Sequence, residues 1–167
     1  WKDEDSGSSS GGGSGSGSGS TGNTQEPDGS DLPFIDVTTG DWYYEAVKFA
    51  YENKLFSGVS DTDFGADITM TRSMLVTVLY SMEGKPAVSG GTNFVDVPES
   101  AWYHDAVIWA AQNNIVTGYS ENQFGSNDSV TREQIALILY NYAKSKGYDV
   151  SQYGNLGVFA DEDQVSD

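Results

Sequence analysis

The sequence predicts an all-α protein built from tandem helix–loop–helix repeats that stack behind a Gly/Ser linker. Three observations predict it. The chain resembles itself at an offset of 60 residues. Each copy carries apolar residues at helical spacing in two places. The first fifth of the chain has almost no apolar content.

Residues 1–33 are the expected linker. Eighteen of the 33 are Gly or Ser, around a core reading GSSSGGGSGSGSGS, flanked by Asp3, Glu4 and Asp5 before and Glu26, Asp28 and Asp31 after. Such a segment cannot bury enough apolar surface to offset its ordering entropy, so disorder is expected. About 20 residues of Gly/Ser coil span roughly 25 Å. Since the sequence opens at Trp1, it is read as a piece of a longer chain, with this segment as a tether to something upstream.

The repeat begins at Phe34. Phe34-Ile-Asp36-Val37 returns as Phe94-Val-Asp96-Val97, and the offset holds without a gap for 47 residues, of which 17 are identical. Trp42-Tyr43 matches Trp102-Tyr103, Gly58 matches Gly118, Phe64-Gly65 matches Phe124-Gly125 and Thr71-Arg72 matches Thr131-Arg132. The expected units are 34–93, 94–156 and the start of a third at 157–167, where Phe159-Ala-Asp161 repeats the opening motif.

Within each unit a first helix is expected over Trp42, Ala46, Val47, Ala50 and Tyr51, with Asp41 and Ser100 as N-caps. It should end at Asn53-Lys54 and Asn113-Asn114, since Asn tolerates the left-handed conformation that follows helices. A second helix should open at Thr71 and Thr131. Leu75, Val76, Val78, Leu79 and Met82 give it an apolar side, as do Ile135, Ala136, Ile138, Leu139 and Tyr142. Thr131-Arg-Glu-Gln134 fits a capping box, whereas Met74 leaves the first copy with threonine alone. His104 is expected on an exposed helix face.

Charge and composition exclude several functions. The net charge is −17, with 25 acids, 8 bases and no cysteine. Binding to a nucleic-acid backbone or an anionic membrane is disfavoured. No thiolate metal site or cysteine nucleophile can form, and one histidine rules out a multi-histidine site. The Asp61, Asp63 and Asp67 cluster does not follow calcium-loop spacing, and no pair of carboxylates stands out as a glycosidase pair. No catalytic residue, cofactor or metal is expected, and the chain is not read as an enzyme.

The Thr-Arg pairs need a reason. A cation in the first helical turn opposes the helix dipole by about 0.3–1 kcal/mol. Two readings remain open on the residues alone. Arg72 and Arg132 bind an anion beside the free N–H groups of the helix start, or they pair internally with Asp36, Asp96 or another acid. Trp42 and Trp102 are equally open between core packing and a partly exposed stacking surface. Asp36 and Asp96 read as loop caps or ligands. Gly58 and Gly118 read as positive-φ positions or as places where a ligand approaches the backbone.

The succession F-x-D-V, W-Y-x-x-A-V, a glycine loop, F-G and a T-R helix start resembles the S-layer homology domain. The likeness runs from Phe34 to about Tyr80 and from Phe94 to about Tyr142. It implies a pseudo-symmetric helical bundle with ligand grooves between neighbouring repeats. It implies anchoring of an exported protein to the wall of Gram-positive or S-layered bacteria, through a secondary cell-wall polysaccharide linked to peptidoglycan and often bearing pyruvate ketals. The alternative is a protein–protein module for homo-assembly in a surface layer. The family's motif positions carry over to Arg72, Arg132, Trp42, Trp102, Asp36, Asp96, Gly58, Gly118, Thr71 and Thr131 as ligand-binding residues. A pyruvate carboxylate would be the anion sought for the two arginines.

Overall fold

The computed structural model describes residues 30–152, 154, 158 and 160. Most of the expected linker and of the third copy's start lie outside the described residues. Within them, four helices follow one another: α1 (Tyr44–Glu52), α2 (Arg72–Met82), α3 (His104–Gln112) and α4 (Arg132–Ser145). No β-strand occurs among the described residues, only isolated bridges between Thr71 and Ser129 and between Ser120 and Gln123. The architecture is all-α, two helices to a repeat.

The first helix of each repeat starts later than the sequence suggests. Tyr43 and Tyr103 occupy the N-cap positions and form no side-chain cap bond. Asp41 is not a cap. Its carboxylate accepts from the Thr38 backbone N–H at 2.7 Å and the Thr38 hydroxyl at 3.1 Å, so it fixes the turn before the helix. Ser100 likewise lies outside α3, whose first N–H, from His104, reaches the Ala101 carbonyl. Consequently Trp42 and Trp102 precede their helices. They are 94% and 63% exposed, each edge-on to the following tyrosine. His104 is largely covered, its side chain 16% exposed and bonded to Asp105.

The C-terminal ends fall where expected, after Glu52 and Gln112, but the left-handed residue in the first copy is Lys54 (φ 58°), matching Asn114 (φ 56°). Thr71 and Thr131 cap α2 and α4 as expected. Met74 does more than the sequence suggests: its sulfur lies 3.5 Å from the Thr71 N–H and closes the cap that Gln134 Oε1 closes at Thr131.

The main core forms across the repeat boundary, with α2 packed on α3 of the next repeat. Leu75, Val76 and Leu79 of α2 meet Ala106, Val107, Trp109 and Ala110 of α3. Tyr80 stacks on Trp109 with ring centroids 5.6 Å apart. A smaller cluster of Leu32, Phe34, Val37, Tyr44 and Val47 holds the start of the first repeat. The face assigned to α4 is only partly used: Ile138 is buried and Ile135 and Tyr142 are half-buried, while Ala136 and Leu139 are exposed. α4 has no following first helix among the described residues to pack against.

Candidate functional site

The loop between the two helices of a repeat carries its recurring glycine and the Phe-Gly pair, Gly58 and Phe64-Gly65 in the first copy and Gly118 and Phe124-Gly125 in the second. Asp36 and Asp96 organise it. The Asp36 carboxylate accepts from the N–H groups of Phe64 and Gly65, both at 2.7 Å. Asp96 accepts from Phe124, Gly125 and Ser126 at 2.8–2.9 Å. Burial pushes both carboxyls up, but these N–H donors outweigh it and hold them below the usual carboxylate range. Both aspartates therefore serve as loop clamps, their oxygens occupied by backbone.

Gly58 and Gly118 sit under Phe34 and Phe94. A Cβ on Gly58 would lie 2.5 Å from the Phe34 ring and 2.7 Å from the Asp63 carbonyl, and φ there is +80°. Gly118 lies outside the positive-φ region, yet its Cβ would meet the Gln123 carbonyl, the Ser120 carbonyl and the Phe94 ring, each at 2.5 Å. Close approach within the chain requires the second glycine, and both demands apply to the first.

The two Thr-Arg arginines, alike in sequence, have unlike fates. Arg72 is 5% exposed. It pairs with neither Asp36 nor Asp96. Its Nε donates to the Phe124 carbonyl at 3.1 Å and its Nη2 to the Thr117 carbonyl at 3.0 Å. The guanidinium lies over the Tyr119 and Phe124 rings, 4.6 and 4.8 Å from their centroids. Neighbouring backbone groups join in, with Arg72 N–H donating to Asp128 and Ser73 N–H to Ser126. Folding thus gains from a cation at this helix start, because the next repeat's carbonyls surround it. Sequence reasoning missed this partner, since carbonyls leave no composition signal. Arg132, at the same position in the second repeat, is exposed and forms no hydrogen bond or ion pair among the described residues.

A groove of about 590 Å³ runs along the loop of the first repeat. Leu55, Gly58, Val59 and Phe64 line one side, Met74, Thr77 and Val78 of α2 another, and Trp102 of the second repeat closes it. Two of the sequence-assigned residues, Gly58 and Trp102, therefore meet at one inter-repeat groove. Asp36 and Tyr43 border a smaller hollow that shares Val59, Gly65 and Ile68 with it. Trp42 does not line either. Thr71 and Thr131 spend their hydroxyls as helix caps. Met74 reads from the sequence only as the position facing the Thr71 cap, and Thr77 carries no signal beyond standing three residues after it on α2.

The sequence is matched in known proteins. The S-layer homology domain family matches residues 33–73 and 93–136, and the chain belongs to that family. An endoglucanase of Bacillus sp. (strain KSM-635) is 30% identical over 127 residues, covering 74% of this chain and 13% of the relative. The surface-layer 125 kDa protein of Lysinibacillus sphaericus is 30% identical over 121 residues, 72% of this chain and 10% of the relative. The cellulosome-anchoring protein of Acetivibrio thermocellus is 29% identical over 115 residues, 65% of this chain and 26% of the relative. The chain thus spans between 10% and 26% of the length of these relatives. It is a cell-surface anchoring module.

Proposed function

We propose that the module holds its parent protein to the cell wall, outside the cell, by binding a secondary cell-wall polysaccharide, and that it performs no catalysis. The observation that carries this reading is Trp102, 63% exposed while closing an apolar groove whose other walls belong to the preceding repeat. An indole face held open beside such a groove matches the apolar CH face of a sugar ring, with its N–H left for a hydroxyl. A pyruvate ketal on the polymer would bring a carboxylate, and Arg132 is the exposed Thr-Arg cation able to take it with a bidentate fork. Arg72, Asp36, Asp96, Gly58, Gly118, Thr71 and Thr131 act in this reading by shaping the loops and helix starts, and Trp42 offers a second exposed indole.

The test is co-sedimentation with purified wall sacculi before and after the secondary polymer is stripped. Binding should vanish on stripped walls. Retained binding on stripped walls would contradict the reading.

A further inference from the structure

Trp102 stands two residues ahead of α3 and is largely exposed, so nothing in its own helix sets the direction of its indole. An exposed side chain flips between rotamers on the picosecond to nanosecond scale unless a neighbour stops it. Among the described residues the ring contact of Trp102 is with Tyr103, which meets it edge-on at 86° with centroids 5.1 Å apart.

Tyr103 is fixed from several sides. It is buried, within the core that α2 and α3 share. Its hydroxyl donates to the Asp96 carbonyl at 3.2 Å. The same carbonyl accepts from the Ser126 hydroxyl at 2.9 Å, while the Asp96 carboxylate takes the Ser126 N–H at 2.9 Å. Ser126 is buried, and its carbonyl accepts the N–H of buried Ser73, on α2, at 3.2 Å. Ser73 adjoins Met74, and Met74, Thr77 and Val78 form the groove wall that belongs to α2. The indole and that wall are thus tied to one another through Tyr103, Asp96, Ser126 and Ser73. Every link lies within residues 73–126.

We propose that Tyr103 is the positioning residue of this groove: its buried ring and bonded hydroxyl hold the Trp102 indole at a set place beside α2 before a ligand enters. Tyr103 does not itself line the groove, so it acts through Trp102. What the indole is held for rests on the polysaccharide reading, and the holding does not. An indole already in place loses less side-chain freedom on binding, and releasing it should weaken binding by about three- to tenfold, the cost of immobilising one side chain.

Fluorine NMR of the full chain labelled with 5-fluorotryptophan tests the holding without polymer. The Trp102 signal is the one lost in Trp102→Phe, and the Trp109 signal, lost in Trp109→Phe, reports on the core. Tyr103→Phe keeps the ring and drops the hydroxyl. In it the Trp102 signal should move towards its place in the urea-unfolded chain, while the Trp109 signal stays. Tyr103→Leu, which also removes the edge contact, should move it further. Tyr43→Phe, at the matching position of the first repeat, should leave it in place. A Trp102 signal unmoved in Tyr103→Phe would overturn the proposal, as would one that moves equally in Tyr43→Phe. Should the Trp109 signal show Tyr103→Leu unfolded, Tyr103→Phe decides alone. Titration of the purified secondary polymer then reads the consequence: Tyr103→Phe should bind more weakly by about threefold or more, and affinity equal to that of the wild type would overturn the positioning role. A wild type that binds no polymer, with its Trp102 signal responding as expected, would defeat the polysaccharide reading and leave the placement of the indole standing.

Discussion

The guanidinium of Arg72 donates to the carbonyl of Phe124, 52 residues away, at 3.1 Å and lies 4.8 Å over that residue's ring. One side chain at the start of α2 thereby fastens the loop of the following repeat, beside the core that α2 and α3 share.

That relationship separates two residues the sequence cannot tell apart. Arg72→Ala strips a buried charge from two carbonyls and should cost about 2–4 kcal/mol, from about 1.5–3 kcal/mol per charged hydrogen bond with partial relaxation. Arg132→Ala removes an exposed side chain and should change stability by no more than about 0.5 kcal/mol in dilute solution. Urea unfolding checks both. A lower midpoint at unchanged slope is expected for Arg72→Ala alone.

The loop clamps set an acid limit. Asp36 and Asp96 have folded pKa values below the ordinary carboxylate value, so the unfolded state binds their protons more readily. Their contribution is fully present above about pH 4 and is lost as pH falls through the lower folded values. Melting temperature followed from pH 6 down to pH 2 should drop below about pH 4. Asp96→Asn should lower stability more than Asp36→Asn, because three N–H donors lose a carboxylate rather than two.

Gly118→Ala should destabilise strongly although its backbone lies outside the positive-φ region. The added carbon meets two carbonyls and an aromatic ring at 2.5 Å. Gly84→Ala provides the contrast: φ is +73° but nothing lies within 4 Å, so only the left-handed penalty of about 1–2 kcal/mol applies. Thermal unfolding of the two variants should rank Gly118→Ala the worse.

Much of the fold was legible in the sequence because it is a repeat. Helical spacing, Thr131-Arg-Glu-Gln134 and the Asn113-Asn114 ending placed the helices to within a few residues. Asp41 misled, since an acid before an aromatic run reads as a cap, and only the geometry reveals that it serves Thr38 instead. The partnership of α2 with α3 was not legible, because apolar spacing identifies a buried face without naming what covers it. The same blindness hid the destination of Arg72. Trp42 and Trp102 were readable as candidates but not as exposed, since that depended on α1 and α3 starting two residues later than their spacing suggested.

A second inter-repeat lock lies at the far end of the helices. The Tyr142 hydroxyl donates to Glu83 at 2.6 Å, and Lys146 reaches the other Glu83 oxygen at 2.8 Å. The hydrogen bond to Glu83, with burial, pushes the Tyr142 pKa up to about 12. A raised pKa stabilises the fold below the unfolded value near 10, and that stabilisation fades as pH rises towards about 12. Subtracting the ultraviolet titration of Tyr142→Phe from that of the wild type should isolate one late tyrosine, and Glu83→Gln should bring it earlier.

The central claim, that the groove closed by Trp102 receives wall polysaccharide, is tested most directly by calorimetric titration of the purified secondary polymer into the wild-type chain and into Trp102→Ala. Binding to the wild type, with at least a tenfold loss in a Trp102→Ala variant of unchanged helical content, is the predicted result. Equal affinity for both proteins, or no binding to the wild type, would contradict it.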